Sequence, residues 1–482
     1  MKKMMRIDIT VLISAIILQS CFLYAFLRKT KGLVQYADWR EIDGILYYTS
    51  AEYDATSLLI VAILLVVLIE TAVTMYGIWR KSWLAVAAVA EGMSIFLGMI
   101  LQSFYNGGER LERQIIFTAL GAGAMTLYFM FVRVSLKERQ WKIVSLVLIG
   151  VIMLNFLTAV YGLLTGNTVN GSSGWVRLGV FSIQPGEFMK VLLILFSAYC
   201  YKIRTNKVLT GIYMIISAGT VFVLVLSRDL GNAAVLLAIW FVSSWYLFDW
   251  KISALIGGAA ILGVAFAVQL LPYVRERFQA CFQALSSGSG QQYNSLMAVL
   301  KGGFRGIGVA GNTSAATSVT SSGTDLVFNV LFAIFGIGGV IFLLGVLLLR
   351  LTHLFLTPVI SPFNYMLGVL GTVTFFCQYL IHIGGCLNVF PMTGICAPFL
   401  SYGGSNIICS FMIFGGILSA FSPEFERSYY KLRERMKKSY GTEDMEEEDN
   451  IYSNGAVSWH DVSYWNFPFS KRWRRSHKKS RI

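Results

Sequence analysis

The chain has 482 residues, of which 56% are hydrophobic and only 14% charged. Soluble proteins carry roughly 25% charged residues, and a soluble fold of this length could not hide so much apolar surface, so lipid is the expected solvent. The formal net charge of +14 does not point to nucleic acid, because the basic residues lie between apolar runs and in the tail, where they face anionic lipid headgroups and fix orientation.

About twelve apolar runs follow in order, each near the length that crosses hydrocarbon. They are Val11–Leu27, Leu58–Ile78, Leu84–Leu101, Ile115–Val132, Ile143–Leu164, Phe188–Tyr201, Val208–Leu226, Ala233–Phe248, Ile252–Leu271, Leu326–Leu349, Phe363–Ile383 and Ile407–Phe421. The expectation is an all-α polytopic membrane protein with a large outer loop before the tenth span. Met1–Leu27 resembles a signal peptide but has no small-x-small cleavage site before Arg28, so it reads as a retained first span. Phe188–Tyr201 is short and is expected to begin earlier, near Gln184. Alternate loops are basic: Arg80-Lys81, then Arg133 to Lys142, Lys202 to Lys207, Lys251, Arg350 and the tail from Arg427. With Lys2, Lys3 and Arg6 inside, this pattern puts both termini in the cytoplasm.

Two outer segments, Thr165–Glu187 and the Gly/Ser-rich Pro272–Asp325, are too long for plain connectors and are candidate functional loops. The tail from Pro423 alternates basic and acidic blocks and reads as disordered, either simply solvated or with its last basic block on the inner leaflet. Of the seven cysteines, Cys200, Cys377 and Cys409 lie in apolar runs, whereas Cys281, Cys386 and Cys396 map toward the outer side. Their odd number and spacing give neither a disulfide framework nor a metal motif. The chain has no internal repeat of the kind that marks many transporters.

Ionisable residues at membrane depth are expensive and default to functional hypotheses. Five acids stand out: Glu91, Glu187, Asp229, Asp249 and Asp325. Asp249 reads as a solvated acid at a cytoplasmic edge, and Glu91 as a structural hydrogen-bonding group within a span. Glu187 follows Pro185-Gly186, where it would complement a helix dipole, and Lys190 three residues on could pair with it. Asp229 and Asp325 each precede an apolar helix, so capping is the plain reading of both. The stretch Lys301–Gly308 is either a flexible loop or a cradle turning backbone N–H groups and Arg305 toward a phosphate. Ala397–Ser405 breaks the helical pattern before the last span and is a candidate for lining a wet cavity.

Taken in order, these segments resemble the shape, elongation, division and sporulation (SEDS) family of FtsW, RodA and SpoVE over about Leu84–Phe421. The residues that carry the resemblance are Trp175–Gly179, Gln184–Glu187 with Lys190, Arg228–Asn232, Tyr273 and Arg277, Ser295-Leu296, Gly302-Gly303, Thr324–Phe328, Pro391–Gly394 and Pro398–Ser405. The family has ten spans, so residues 1–80 read as an added helix pair, 81–422 as the core and 423–482 as a cytoplasmic tail. Departures from the family pattern fall at Gly174, at Ser227-Arg228, at Ile307 in place of a lysine, at Ala333 and Ile334 in place of paired acids, and at His382 in place of an asparagine.

The resemblance implies a peptidoglycan glycosyltransferase that polymerises lipid II on the outer face of the cytoplasmic membrane. By position it makes Asp325 the general base. Glu187, Lys190, Arg277, Arg305, Asp229 and Ser401 become substrate-binding residues, with Arg177 a further candidate cation. It also implies a class B penicillin-binding protein, a transpeptidase, as partner. A divalent cation stays open, with no ligand set readable. Two alternatives are a non-catalytic scaffold that recruits the transpeptidase and a flippase for the lipid-linked precursor.

Overall fold

The computed structural model describes residues 40–42, 45–47, 92, 94–102, 109–133, 138–165, 173–178, 181–202, 206–283, 290–308, 319, 321–356 and 362–420. The expected spans Val11–Leu27 and Leu58–Ile78, the acid Glu91 and the tail from Pro423 lie outside them. In chain order come a short hairpin, β1 (Arg40–Ile42) and β2 (Ile45–Tyr47), then helix α1 (94–102), α2 (Glu109–Arg133) and α3 (Glu138–Thr165). A second hairpin, β3 (Val176–Leu178) and β4 (Phe181–Ile183), pairs Val176 with Ile183. It leads into α4 (Pro185–Lys202), α5 (Lys207–Leu226), α6 (Leu230–Leu247) and α7 (Trp250–Leu270). Next are α8 (Pro272–Gln283), α9 (Gln291–Gly302), α10 (Val327–Leu356), α11 (Pro362–Cys386) and α12 (Gly404–Ala420).

The fourth to twelfth expected spans are therefore helical over their described residues, as is the described part of the third, 94–101, and α4 does begin before Phe188. Six described helices are long and apolar enough to cross a membrane by length and composition: α2, α3, α5, α6, α7 and α11. The protein is a polytopic membrane protein. The two long outer segments correct the sequence reading. Pro272–Asp325 is more than a loop, since it holds α8 and α9, and Thr165–Glu187 holds the second hairpin.

The helices sort by burial. Helix α4 is buried along nearly its whole length and packs against α3, α5, α6, α11 and α12. Helix α11 is the other central rod, touching α4, α6, α10 and α12. By contrast α7 buries little more than Ser253 and Ile256 and turns Leu255, Ile261, Leu262, Val264 and Phe266 outward, as a lipid-facing helix must. In α2 the buried residues Leu111, Gln114, Thr118, Met125, Tyr128 and Val132 recur at helical spacing. That face meets α12 through glycines. A Cβ on Gly121 would lie 2.4 Å from the Phe411 ring, and one on Gly404 would lie 2.6 Å from Phe117. Close backbone approach over small residues is how helices associate without a hydrophobic drive between them. Polar groups inside the bundle find partners too. Ser197 on α4 donates to the Tyr213 hydroxyl on α5, which also bonds Ser243 on α6.

The caps explain where several helices start. Asn206 accepts from Leu209 N at 3.1 Å, Asp229 from Asn232 N at 3.2 Å, and Asp249 from the amides of Lys251 and Ile252. Asp249 is exposed, as expected, and has this capping role in addition.

The closest approach at the outer end is made by α1. A Cβ on Gly98 would lie 2.0 Å from the carbonyl oxygen of Phe399. We expect Gly98→Ala to lower stability by about 1–3 kcal/mol through overpacking. Gly123→Ala, which meets nothing within 4 Å, should leave the melting temperature unchanged or slightly raised. Thermal unfolding of the purified variants in detergent distinguishes the two.

Candidate functional site

The irregular segment before α12 holds the site together. Its residues 397–403 grip the turn that carries Asp325. The Ser401 hydroxyl donates to Thr324 O at 2.6 Å and accepts from Ala397 N at 2.9 Å, and Tyr402 N donates to Gly323 O at 2.8 Å. Gln102 on α1 donates to both Gly323 O and Leu400 O, and Tyr379 on α11 donates to Pro398 O at 2.6 Å. Phe399 takes a left-handed φ of 62° and sets its ring edge-on between Phe375 and Phe411. A bulky residue with positive φ persists only where the surroundings over-determine it.

This corrects the expectation for Ser401. Its side chain is fully buried and its hydroxyl is committed twice, so it braces the Asp325 turn rather than contacting substrate.

Asp325 lies one turn before α10, partly open to solvent. Burial lifts its carboxyl from 3.8 to about 6, against the opposing influences of Arg277 and of a hydrogen bond with Thr324, while Asp229 pushes further up. Behind the aspartate is a connection that the sequence reading flagged only as a departure. His382 Nδ1 lies 2.8 Å from Ile395 O, an acceptor only, so Nδ1 carries the proton and Nε2 is free to accept. The Cys386 thiol lies 3.5 Å from that Nε2 and 3.3 Å from the backbone oxygen of Asp325. His382 and Cys386 thus link the Pro391–Gly394 segment, the end of α11 and the aspartate turn.

Asp229 caps α6 and does more. It accepts from the Gln184 side chain at 2.7 Å and from the Asn232 side chain at 3.0 Å. Burial raises its pKa against the hydrogen bonds from Asn232 and Gln184, and nearby Glu187 adds to the rise. Arg277 on α8 is near enough to both aspartates for their charges to act on it. Burial lowers its pKa, and Asp229, Tyr273 and Asp325 oppose the drop, in that order. Its guanidinium also reaches Thr393 O at 3.5 Å. Tyr273 donates to Val225 O at 2.9 Å, and Arg228, at a φ of 59°, lies over the Tyr273 ring.

Glu187 and Lys190 form the expected pair, one turn apart on α4 with Nζ–Oε2 at 2.7 Å, both buried. Asn406 on α12 donates to the same carboxylate oxygen at 3.3 Å, and Gln184 N donates to Ser405. Lys190 Nζ makes no aligned hydrogen bond among the described residues, so charge is what holds the pair. The thiol of Cys396 is near enough to feel Asp325, Glu187, Lys190 and Asp229 together, and burial carries its pKa well above the usual thiol value.

Arg305 is elsewhere. The Lys301–Gly308 segment is docked onto α10, where Ile307 N donates to Ala333 O, Gly308 N to Ile334 O, and Ile337 N to Phe304 O. Gly336, at φ 59° and ψ −147°, breaks α10 at that point. The backbone N–H groups of Ile307 and Gly308 are thus spent on helix carbonyls, and the phosphate-cradle reading is corrected. From Asp325 to Gly336 is about 16 Å along the helix axis at 1.5 Å per residue, so Arg305 does not join the aspartates. The Arg177 side chain lies outside the described residues. Among the described residues no group of three or more His, Cys, Asp or Glu is placed to hold a metal ion.

Sequence reasoning found five of the assembled residues: Asp325, Asp229, Arg277, Glu187 and Lys190. It gave no role to Asn232, Thr393, Cys396, Asn406 or the His382–Cys386 pair. The position of Asn232, three residues beyond the cap, was the one local signal available.

The profile of the FtsW, RodA and SpoVE family, described as cell cycle proteins, matches residues 101–424. The probable peptidoglycan glycosyltransferase FtsW of Taylorella equigenitalis (strain MCE9) is 31% identical over 336 residues, covering 65% of this chain and 89% of that protein. The same-named protein of Halorhodospira halophila (strain DSM 244 / SL1) is 29% identical over 363 residues, covering 70% and 89%. The fold is similar to a chain solved in work on "Structural coordination of polymerization and crosslinking by a peptidoglycan synthase complex". That chain is 24% identical, with a TM-score of 0.53 over 71% of this chain and 97% of that one.

Two predictions follow the charges. Lys190→Met leaves Glu187 buried and unpaired, and should cost about 3–5 kcal/mol in chemical denaturation. Glu187→Gln with Lys190→Met should recover most of it. Asp325 has its folded pKa raised, so the folded state gains stability as pH falls from about 6 toward 3.8. Asp325→Asn should therefore be more stable than wild type at pH 8, by at most about 3 kcal/mol and less where solvent reaches the side chain. That advantage should fade by pH 4 in a melting-temperature series.

Proposed function

The chain belongs to the FtsW, RodA and SpoVE family of cell cycle proteins, and on that footing we propose that it is a peptidoglycan glycosyltransferase. In this reading it polymerises glycan strands from lipid II at the outer face of the bacterial cytoplasmic membrane, with both termini inside. The observation that carries the reading is Asp325 on a turn held by the 397–403 segment through Ser401 and Tyr402, with Arg277 near enough to act on its charge and on that of Asp229.

A sugar hydroxyl of one substrate attacks the anomeric carbon of another. The new C–O bond forms as the bond to the diphosphate breaks. Asp325 takes the hydroxyl proton, a role for which a pKa of about 6 leaves the carboxylate mostly ionised at neutral pH while still basic. The diphosphate departs with the bonding electrons and meets Arg277, whose planar fork of donors suits phosphate oxygens. Asp229 orients Arg277 by charge. The buried Glu187–Lys190 pair holds α4 against α12 beside the site through Asn406. Ser401, His382 and Cys386 fix the aspartate turn. A transpeptidase of the class B penicillin-binding type is the proposed partner, supported by the family resemblance.

The test is glycan polymerisation from purified lipid II with the cognate transpeptidase, comparing wild type with Asp325→Ala at matched folding. Wild type should make polymer and the variant should lose about 100-fold or more of the rate. The wild-type rate should also fall as pH drops through about 6. Equal polymer from both would remove Asp325 as base. No polymer from either, with an active relative working in the same assay, would favour the scaffold reading.

A further inference from the structure

Helix α9 and the turn that follows it do not belong to the site, yet they are built with care. Ser295 accepts from Asn329 on α10 at 2.8 Å, Ala298 packs on Ala333, and the turn's backbone is bonded to α10 on both sides of the Gly336 break. A Cβ on Gly302 would lie 2.5 Å from Ala333 O, and one on Gly306 would lie 2.3 Å from Ile334 O. The turn cannot be pressed closer to the helix.

What this unit presents outward is unusual. Leu300 and Phe304 are 68% and 75% exposed, and Lys301 and Arg305 are exposed beside them. No acid occurs from Gln291 to Gly308. The depth is set by α10, whose exposed Ile341 and Leu344 lie beyond the break and face lipid. From Gly336 to Arg350, which marks the cytoplasmic end, is about 21 Å at 1.5 Å per residue, while the hydrocarbon is about 30 Å thick. The turn therefore sits some 10 Å or less inside the outer hydrocarbon edge, within reach of snorkelling Lys and Arg side chains.

We propose that α9 and the 303–308 turn form an anchor for anionic phospholipid of the outer leaflet, with Leu300 and Phe304 among acyl chains and Lys301 and Arg305 on headgroup phosphates. The occupant is bulk phospholipid rather than the substrate's diphosphate, because the turn lies about 16 Å along α10 from Asp325. Because the same unit is bonded to the outer half of α10, whose beginning carries Asp325, the anchor also steadies that aspartate.

The test uses the full chain in detergent and does not depend on activity. Native mass spectrometry would compare retention of phosphatidylglycerol and of phosphatidylcholine by wild type and by Lys301→Gln/Arg305→Gln. Wild type should hold phosphatidylglycerol selectively. The double variant should bind it about 30-fold more weakly, since each cation near a lipid surface contributes about 1 kcal/mol, or about fivefold, with an unchanged melting temperature. Equal retention by the two proteins would overturn the proposal. So would displacement of the phosphatidylglycerol by undecaprenyl diphosphate, which would assign the turn to the substrate.

Discussion

A carboxylate can be kept at the rim of a membrane bundle only if the non-helical backbone around it finds its hydrogen bonds within the protein, because hydrocarbon offers none. The grip of residues 397–403 on the 321–325 turn meets that constraint. Ser401 and Tyr402 bond Thr324 and Gly323, and Gln102 and Tyr379 close the remaining carbonyls of Gly323, Leu400 and Pro398. Without this bracket Asp325 would sit on a loose strand of chain, and its distance to Arg277 would be undefined. The left-handed Phe399 and the close packing of Gly98 on its carbonyl are the local consequences of folding two irregular segments against each other.

Charge is distributed around this bracket in layers. The Glu187–Lys190 pair is wholly buried and internally neutral, so it fixes α4 against α12 through Asn406 without adding net charge. Of the two aspartates, Asp229 is buried and Asp325 is partly open to solvent, and Arg277 acts on both. Burial and the neighbouring aspartate raise Asp325 while Arg277 restrains the rise. The result is a base tuned by three groups drawn from three different helix ends.

The fold was largely legible in the sequence because membrane spans are long apolar runs, and ten of the expected spans reappear as helices. The outer segments were not legible to the same degree. Helices α8 and α9 are short and only half apolar, and a Gly/Ser-rich composition hides them. Asp325, Asp229 and Glu187, with Lys190 as its pair, were found because ionisable residues beside apolar runs are costly and conspicuous, whereas Arg277 came only from the family resemblance. Ser401 and Arg305 were misplaced for a different reason: a hydroxyl or guanidinium near a motif gives no sign of whether it faces the cavity. Ala333 and Ile334 show the reverse, since their loss of charge looked like damage in the sequence. In the fold Ala333 packs with Ala298 and Ile307, and Ile334 is buried in the apolar cluster of Leu326, Val330 and Leu331, where charged carboxylates would go unpartnered.

The contacts that complete the site span nearly the whole core: Gln184 to Ser405, Glu187 to Asn406, Gln102 to Gly323, Gln114 to Ser401. Contacts so distant in sequence are slow to form, because the intervening chain must be closed before they return any stability. A nascent chain that has made α4 through α10 already possesses every acid and base of the constellation. It lacks the segment that brackets Asp325 and the asparagine that meets Glu187. Reactivity therefore arises only with the last helix of the core, and a chain interrupted before it would leave a buried ion pair without its third partner in the membrane.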